Sequence, residues 1–218
     1  MIRIEMLKGG SFFVFLMCMR LFFILALIFC FSSCSRFSKL SKYEKRWALF
    51  HPFAALKVKQ LSKTILSIYD EVKRSGQLDN YENGGKLDAF RHVFSTTVLC
   101  TKINPRKIKK LGEAHEKGNY RDFLKSRMEE GELPDSMGTV MDLKNNELGI
   151  SIGQRLKGRK LSITEVKNEV INSIRQGNAF YLKRNSSGVY LDCLNRTIDL
   201  SAWRSKWGIP KCLISTKE

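Results

Sequence analysis

Along most of the chain beyond Leu40, apolar side chains recur every three to four positions, the spacing that puts them on one face of a helix. Leu56, Leu61, Ile65, Ile68, Tyr69 and Val72 form such a stripe and predict a helix from about Pro52 to Lys73. Start and stop signals divide the rest. Ser41-Lys-Tyr-Glu44 has capping-box spacing and opens a first helix, interrupted at His51-Pro52 because proline cannot continue a helix from the preceding turn. His51 is expected only to pack or cap at that kink. After a polar turn, Gly76 to Gly85, a helix is predicted from about Gly85 to Lys102. Asn104-Pro105 opens another, ending near Gly118-Asn119, with a short helix over Tyr120 to Met128. Pro134-Asp135 opens a longer one to about Leu156, stopped by Gly158, and Ser162-Ile-Thr-Glu165 starts a last helix that runs to Gly177-Asn178.

The pattern then changes. Phe180-Tyr-Leu-Lys183 and Val189-Tyr-Leu-Asp192 flank Asn185-Ser-Ser-Gly188 and read as a β-hairpin with a polar loop. Trp203, Trp207 and Pro210 follow, with the aromatics expected to cover the helical core. The fold class is therefore mainly α: a helical bundle of five to seven helices with a small C-terminal β-hairpin. Residues 42–178 form the helical domain, and residues 179–218 form the hairpin and an aromatic tail packed on it.

The N-terminus needs a different account. Phe12 to Phe31 is apolar except for Arg20. In a spanning helix Arg20 would sit near mid-bilayer, at about 2.5–3.5 kcal/mol on insertion scales. That cost vanishes if Met19-Arg20 is a positive n-region, Leu21 to Phe31 the apolar h-region and Ser32-Ser33-Cys34 a small-residue cleavage site. Residues 1–34 then read as a lipoprotein signal peptide, with Met19 an alternative start and residues 35–41 a tether. The segment resembles a lipobox, with Phe31 where a smaller residue is usual. It implies lipidation of Cys34, membrane attachment, and a domain in the cell envelope facing periplasm or exterior.

Charge and cysteines add to this. The 218 residues carry a net charge of +17, which attracts anionic lipid or an anionic envelope polymer, although lysines also simply solvate helix faces. Nucleic acid is disfavoured as partner, because no helix-turn-helix, zinc-finger or RNA-binding signature accompanies the charge. Cys100, on a helix, reads as a small buried hydrophobe, while Cys193 and Cys212 could pair in an oxidising compartment. The absence of any CxxC pair excludes a zinc ribbon and a thioredoxin motif.

Three polar patches interrupt the apolar helices. In Lys86-Leu-Asp-Ala-Phe-Arg-His92, Asp88 and His92 are four apart and share a helix face, with Arg91 three from Asp88. Glu113-Ala-His-Glu116 lies on the following helix. In Met141-Asp-Leu-Lys-Asn-Asn-Glu-Leu-Gly149, the residues Asp142, Asn145, Asn146 and Gly149 form one stripe. Buried polar groups need partners, so the three patches are expected to turn toward a common centre. Gly149 and Gly153 would let another helix approach closely there.

The order DAFRH, AHE, MDLKNNELG resembles an uncharacterised bacterial helical domain that recurs in secreted proteins, lipoproteins and some polymorphic-toxin-like proteins. The likeness covers about Pro52 to Gln154. That family has no established reaction, so the resemblance implies a shared site rather than a chemistry. Its signature positions here are Asp88, Arg91, His92, His115, Glu116, Asp142, Asn145, Asn146 and Gly149.

Two chemistries suit these residues. His92, His115, Glu116 and Asp142 are ligand types for a divalent metal, though His115-Glu116 lacks the second histidine of HExxH and no zincin is present. Without metal, His92, His115, Glu116, Asp88, Asp142, Asn145 and Asn146 offer general acid–base catalysis. Glu116 would be the base, a histidine the acid, and the asparagines donors to an oxyanion, with Arg91 and Gly149 structural. No GxSxG or Cys–His signature indicates a covalent nucleophile. The expected function is an envelope lipoprotein with hydrolase chemistry; the alternative is a non-catalytic protein with a satisfied polar core, binding anionic partners by its basic surface.

Overall fold

A computed structural model describes residues 40–128 and 131–217. The signal-peptide reading of residues 1–34, with Cys34, and all but the end of the tether lie outside the described residues. None of the described helices is long and apolar enough to cross a membrane.

Six α-helices are found among the described residues: α1 (Lys42–Phe50), α2 (Pro52–Ser75), α3 (Lys86–Lys102), α4 (Pro105–Phe123), α5 (Ser136–Leu156) and α6 (Ile163–Arg175). Two short strands, β1 (Phe180–Leu182) and β2 (Leu213–Ser215), and a 3-10 turn at Leu200–Trp203 complete the chain. The protein is mainly α with a small antiparallel β element.

Local chemistry accounts for the boundaries. Both capping boxes form, Ser41 with Glu44 and Ser162 with Glu165. Asn104 and Asp135 cap α4 and α5 through their side chains. His51 ends α1, its ring edge-on to Trp47, and Pro52 begins α2. One boundary differs from expectation. Helix α4 does not stop near Gly118-Asn119 but continues to Phe123, absorbing the start of the short helix predicted from Tyr120. Gly118 is there for packing: a Cβ on it would come within 2.8 Å of the Ser41 side chain.

The middle of the bundle is α3. Leu87, Ala89, Phe90, Val93, Phe94, Val98, Leu99 and Cys100 are buried, so the helix is enclosed by α2, α4, α5, α6 and β1. Each such large side chain contributes about 1.5–3 kcal/mol. The closest approach is α3 against α5, as the glycine spacing predicted. A Cβ on Gly149 would overlap Thr96 and the Val93 carbonyl, and one on Gly153 would come within 2.6 Å of the Thr97 carbonyl oxygen.

The β element differs in its pairing. β1 pairs with β2, Phe180 opposite Ser215 and Leu182 opposite Leu213, rather than with Val189–Asp192. The predicted loop is real, since Asn185 accepts from Val189 and Ser187, and the two arms meet just beyond β1, through a bridge between Arg184 and Tyr190 and the Asn185-to-Val189 and Leu191-to-Lys183 backbone hydrogen bonds. A disulfide between Cys193 and Cys212 holds this segment to β2, and Cys100 is a buried thiol. Tyr190, Leu182, Ile198 and Ile209 close over Met141, with Trp203 at the margin, while Trp207 packs on Tyr120 and Phe123.

Candidate functional site

The close α3–α5 contact brings the first and third polar patches face to face. Asp88 sits in the first turn of α3. Its Oδ2 accepts from the Gly84 N–H at 2.7 Å, and its Oδ1 is ion-paired with Arg91 at 2.6 Å. One turn on, Nδ1 of His92 is 3.2 Å from Oδ1 of Asn146. An amide oxygen only accepts, so Nδ1 carries the hydrogen and the Nε2 lone pair faces the other way. Nε2 lies 3.2 Å from Asp142 Oδ1, 3.5 Å from Asp88 Oδ1 and 3.4 Å from Nη2 of Arg91.

Water scarcely reaches this centre, with the side chains of Asp88, His92 and Asp142 exposed by 3%, 10% and 11%. Burial therefore dominates their electrostatics. It holds the Asp142 carboxyl well above the ordinary carboxylate range, and the charges of Asp88 and Glu116 add to it while Arg91 and His115 oppose it. Burial also pushes His92 well below the ordinary imidazole value, helped by the positive charges of Arg91 and His115. Acid and base have thus moved toward each other, and the charged form of neither is favoured in this pair.

The second patch closes the cluster from α4. Glu116 is buried. Its Oε2 accepts from Thr139 at 2.9 Å and Asn119 at 3.3 Å, and its charge acts on Asp142. His115 stands at the rim with its side chain 37% exposed, and Nδ1 is 3.2 Å from Glu44 of α1. Burial opposes the Glu44 charge, but the hydrogen bond and charge of His115 and the Ser41 N–H outweigh it and keep that carboxyl low. Arg91, 26% exposed, forms another part of the rim.

Asp88, Arg91, His92, Asp142 and Asn146 are joined by short contacts, while Glu116 and His115 act on Asp142 through their charges. Two signature residues do other work. Asn145, fully buried, accepts from the Phe180 N–H and donates to the Phe180 carbonyl, both at 2.9 Å, and so pins β1 to α5 instead of lining the cluster. Gly149 is the close-approach point. Sequence reading missed Glu44, Thr139 and Asn119. Glu44 was legible as a capping residue, but nothing local links it to a histidine on α4.

As a metal site the cluster fits poorly. The ligand atoms of Asp88, His92 and Asp142 lie within 4.8 Å of one another. Both Asp88 oxygens are already engaged, however, and the Arg91 guanidinium stands where an ion's charge would act. His115 and Glu116, expected among the ligand candidates, are not in that grouping. Proton sharing between His92 and Asp142 is the chemistry this arrangement suits.

The α3–α5 core with its three-patch cluster defines a helical domain organised around a buried His–Asp pair. A family model described as a domain of unknown function, DUF6973, matches residues 45–178, and the chain belongs to that family. The match spans every helix bearing a cluster residue and ends just before β1. No curated protein and no solved structure matches the chain.

Proposed function

We propose that the domain is a hydrolase held at the envelope by lipidated Cys34, with His92 and Asp142 as its general base and general acid. One observation carries this reading: Nε2 of His92, without a hydrogen of its own, lies 3.2 Å from a carboxyl oxygen of Asp142 buried among other carboxylates. Burial and the neighbouring carboxylates raise the Asp142 carboxyl, an environment that suits acid–base chemistry.

In the resting pair Asp142 carries the shared proton. Passing it to a leaving group leaves Asp142 ionised and Nε2 free to take a proton from the attacking water. Return of that proton from His92 to Asp142 resets the pair. Asp88 and Arg91 orient the imidazole, and Asn146 fixes its tautomer. The exposed edges of Arg91 and His115 are where substrate would enter, and their cationic character suits an anionic envelope polymer. The Cys193–Cys212 disulfide supports an oxidising compartment.

A closed structural core is the second reading. It is favoured by the low exposure of Asp88 and His92. The test compares wild type with Asp142→Asn for thermal stability and for release of soluble products from isolated envelopes. The hydrolase reading expects the Asp142→Asn protein to melt at or above wild type and to release products at least about a hundredfold more slowly. A variant that unfolds, or that releases products as fast as wild type, overturns it.

A further inference from the structure

The corner between α1 and α2 carries an apolar tip that nothing in the acid–base site requires. Leu49, Phe50 and Phe53 are 73%, 65% and 87% exposed, with Leu56 beside them at 40%. Single exposed hydrophobics are ordinary, but four within eight positions at a helix corner are not. The pattern has a local origin. Trp47 and Ala48 face inward on α1 while Leu49 and Phe50 stay exposed at its end, and α2, which begins at Pro52, exposes Phe53 and Leu56 in its first turns.

Along α1 and the first half of α2 the exposed charges are basic. Lys42 and Arg46 lie on the outer face of α1, and Lys57, Lys59 and Lys63 are exposed on α2. From Lys42 to Tyr69 the only acidic residue is Glu44, and it is turned inward to Ser41 and His115. Arg46 leans over the Phe50 ring, its guanidinium 5.7 Å from the centroid, so cation and aromatic share one surface.

We infer that Leu49, Phe50 and Phe53 form a membrane-interface contact that inserts into an anionic lipid surface, with the Lys42, Arg46, Lys57 and Lys63 cations resting among the headgroups. An apolar centre flanked by cations, on a stretch of α1 and α2 without an outward carboxylate, complements such a bilayer, in which aromatic and aliphatic side chains settle about 5–10 Å deep. A protein partner would be expected to answer some of that rim with acidic groups of its own; the inference commits to lipid. It goes beyond the hydrolase reading and does not depend on it, because none of these residues touches His92 or Asp142.

The experiment uses the full chain reconstituted into vesicles whose acyl chains carry bromine, a contact quencher of tryptophan. Phe53→Trp places a reporter at the tip, and wild type supplies the background from Trp47, Trp203 and Trp207. In vesicles of phosphatidylcholine with phosphatidylglycerol, emission from the Phe53→Trp reporter should fall about twofold relative to unbrominated vesicles. The loss should shrink in phosphatidylcholine alone and when Arg46→Glu and Lys57→Glu are added. Since these positions are exposed, unaltered circular dichroism is expected for each variant. No bromine quenching beyond the wild-type background overturns the inference and leaves the tip to water or to a protein. Equal quenching with and without phosphatidylglycerol overturns the recognition of anionic lipid.

Discussion

Asp142 of α5 faces His92 of α3 across the tightest helix contact in the bundle, its Oδ1 3.2 Å from Nε2. The contact is tight because Gly149 and Gly153 remove side chains from α5 where α3 passes. Packing thereby places two titratable groups in a medium where neither charge is favoured. The consequences can be measured.

The two residues should tilt stability with pH in opposite senses. The folded Asp142 carboxyl is raised from 3.8, so its contribution is fully present below that value and is lost as pH rises through the folded one. Asp142→Asn removes this loss: the variant should exceed wild type near neutrality by a few degrees, with the gap narrowing on acidification. His92 is lowered from 6.5, so acidification below 6.5 loads the proton on the unfolded chain first and destabilises wild type. His92→Gln should therefore gain relative to wild type as pH falls below 6.5. Melting curves of the three proteins across that range check both slopes.

Arg91→Ala should be destabilising by about 2–3 kcal/mol, less than for a fully buried ion pair because the guanidinium is 26% exposed. The loss strands Asp88, which is almost wholly buried. Glu116→Gln should stay within about 1 kcal/mol of wild type, since glutamine keeps an oxygen for Thr139 and Asn119 while relieving repulsion on Asp142. Denaturant titration of the pair settles the order.

Asn145→Ala should cost about 2–3 kcal/mol, because both the N–H and the carbonyl of Phe180 lose their partner in a buried setting. The effect should be local first. Amide exchange at Phe180 should accelerate more than exchange in the middle of α3.

Reduction of the Cys193–Cys212 disulfide should lower stability by about 3 kcal/mol through the freed chain entropy of the loop. Thermal melts with and without dithiothreitol measure it. Cys100 should resist alkylation in the folded protein, as burial raises its thiol to about 11.

The helices were legible because their boundaries are written locally: Ser41 with Glu44, Pro52, Asn104 with Pro105, Asp135, and Ser162 with Glu165 all act within a few residues. Glycine was ambiguous. Gly118 reads as a stop in a sequence, yet Ser41 packs where its side chain would be, a contact between distant segments. The partner of β1 was missed for a similar reason, since the tail strand and the nearer segment are both apolar and the pairing joins segments about thirty residues apart. In the site, the i, i+4 pairing of Asp88 with His92 and the stripe containing Asp142 and Asn146 could be read from helical geometry. The partition of roles could not: Asn145 and Asn146 are neighbours in sequence, and only the position of β1 gives one of them to structure and the other to His92.

The central claim is that His92 and Asp142 share a proton as a neutral acid–base pair, and imidazole nitrogen resonances of the isotope-labelled protein report on it directly. At pH 7, His92 should show one protonated nitrogen, Nδ1, and a bare Nε2 that stays bare as pH falls through 6.5. A doubly protonated His92 at pH 7 would make the contact with Asp142 an ordinary salt bridge, and the acid–base account would be wrong.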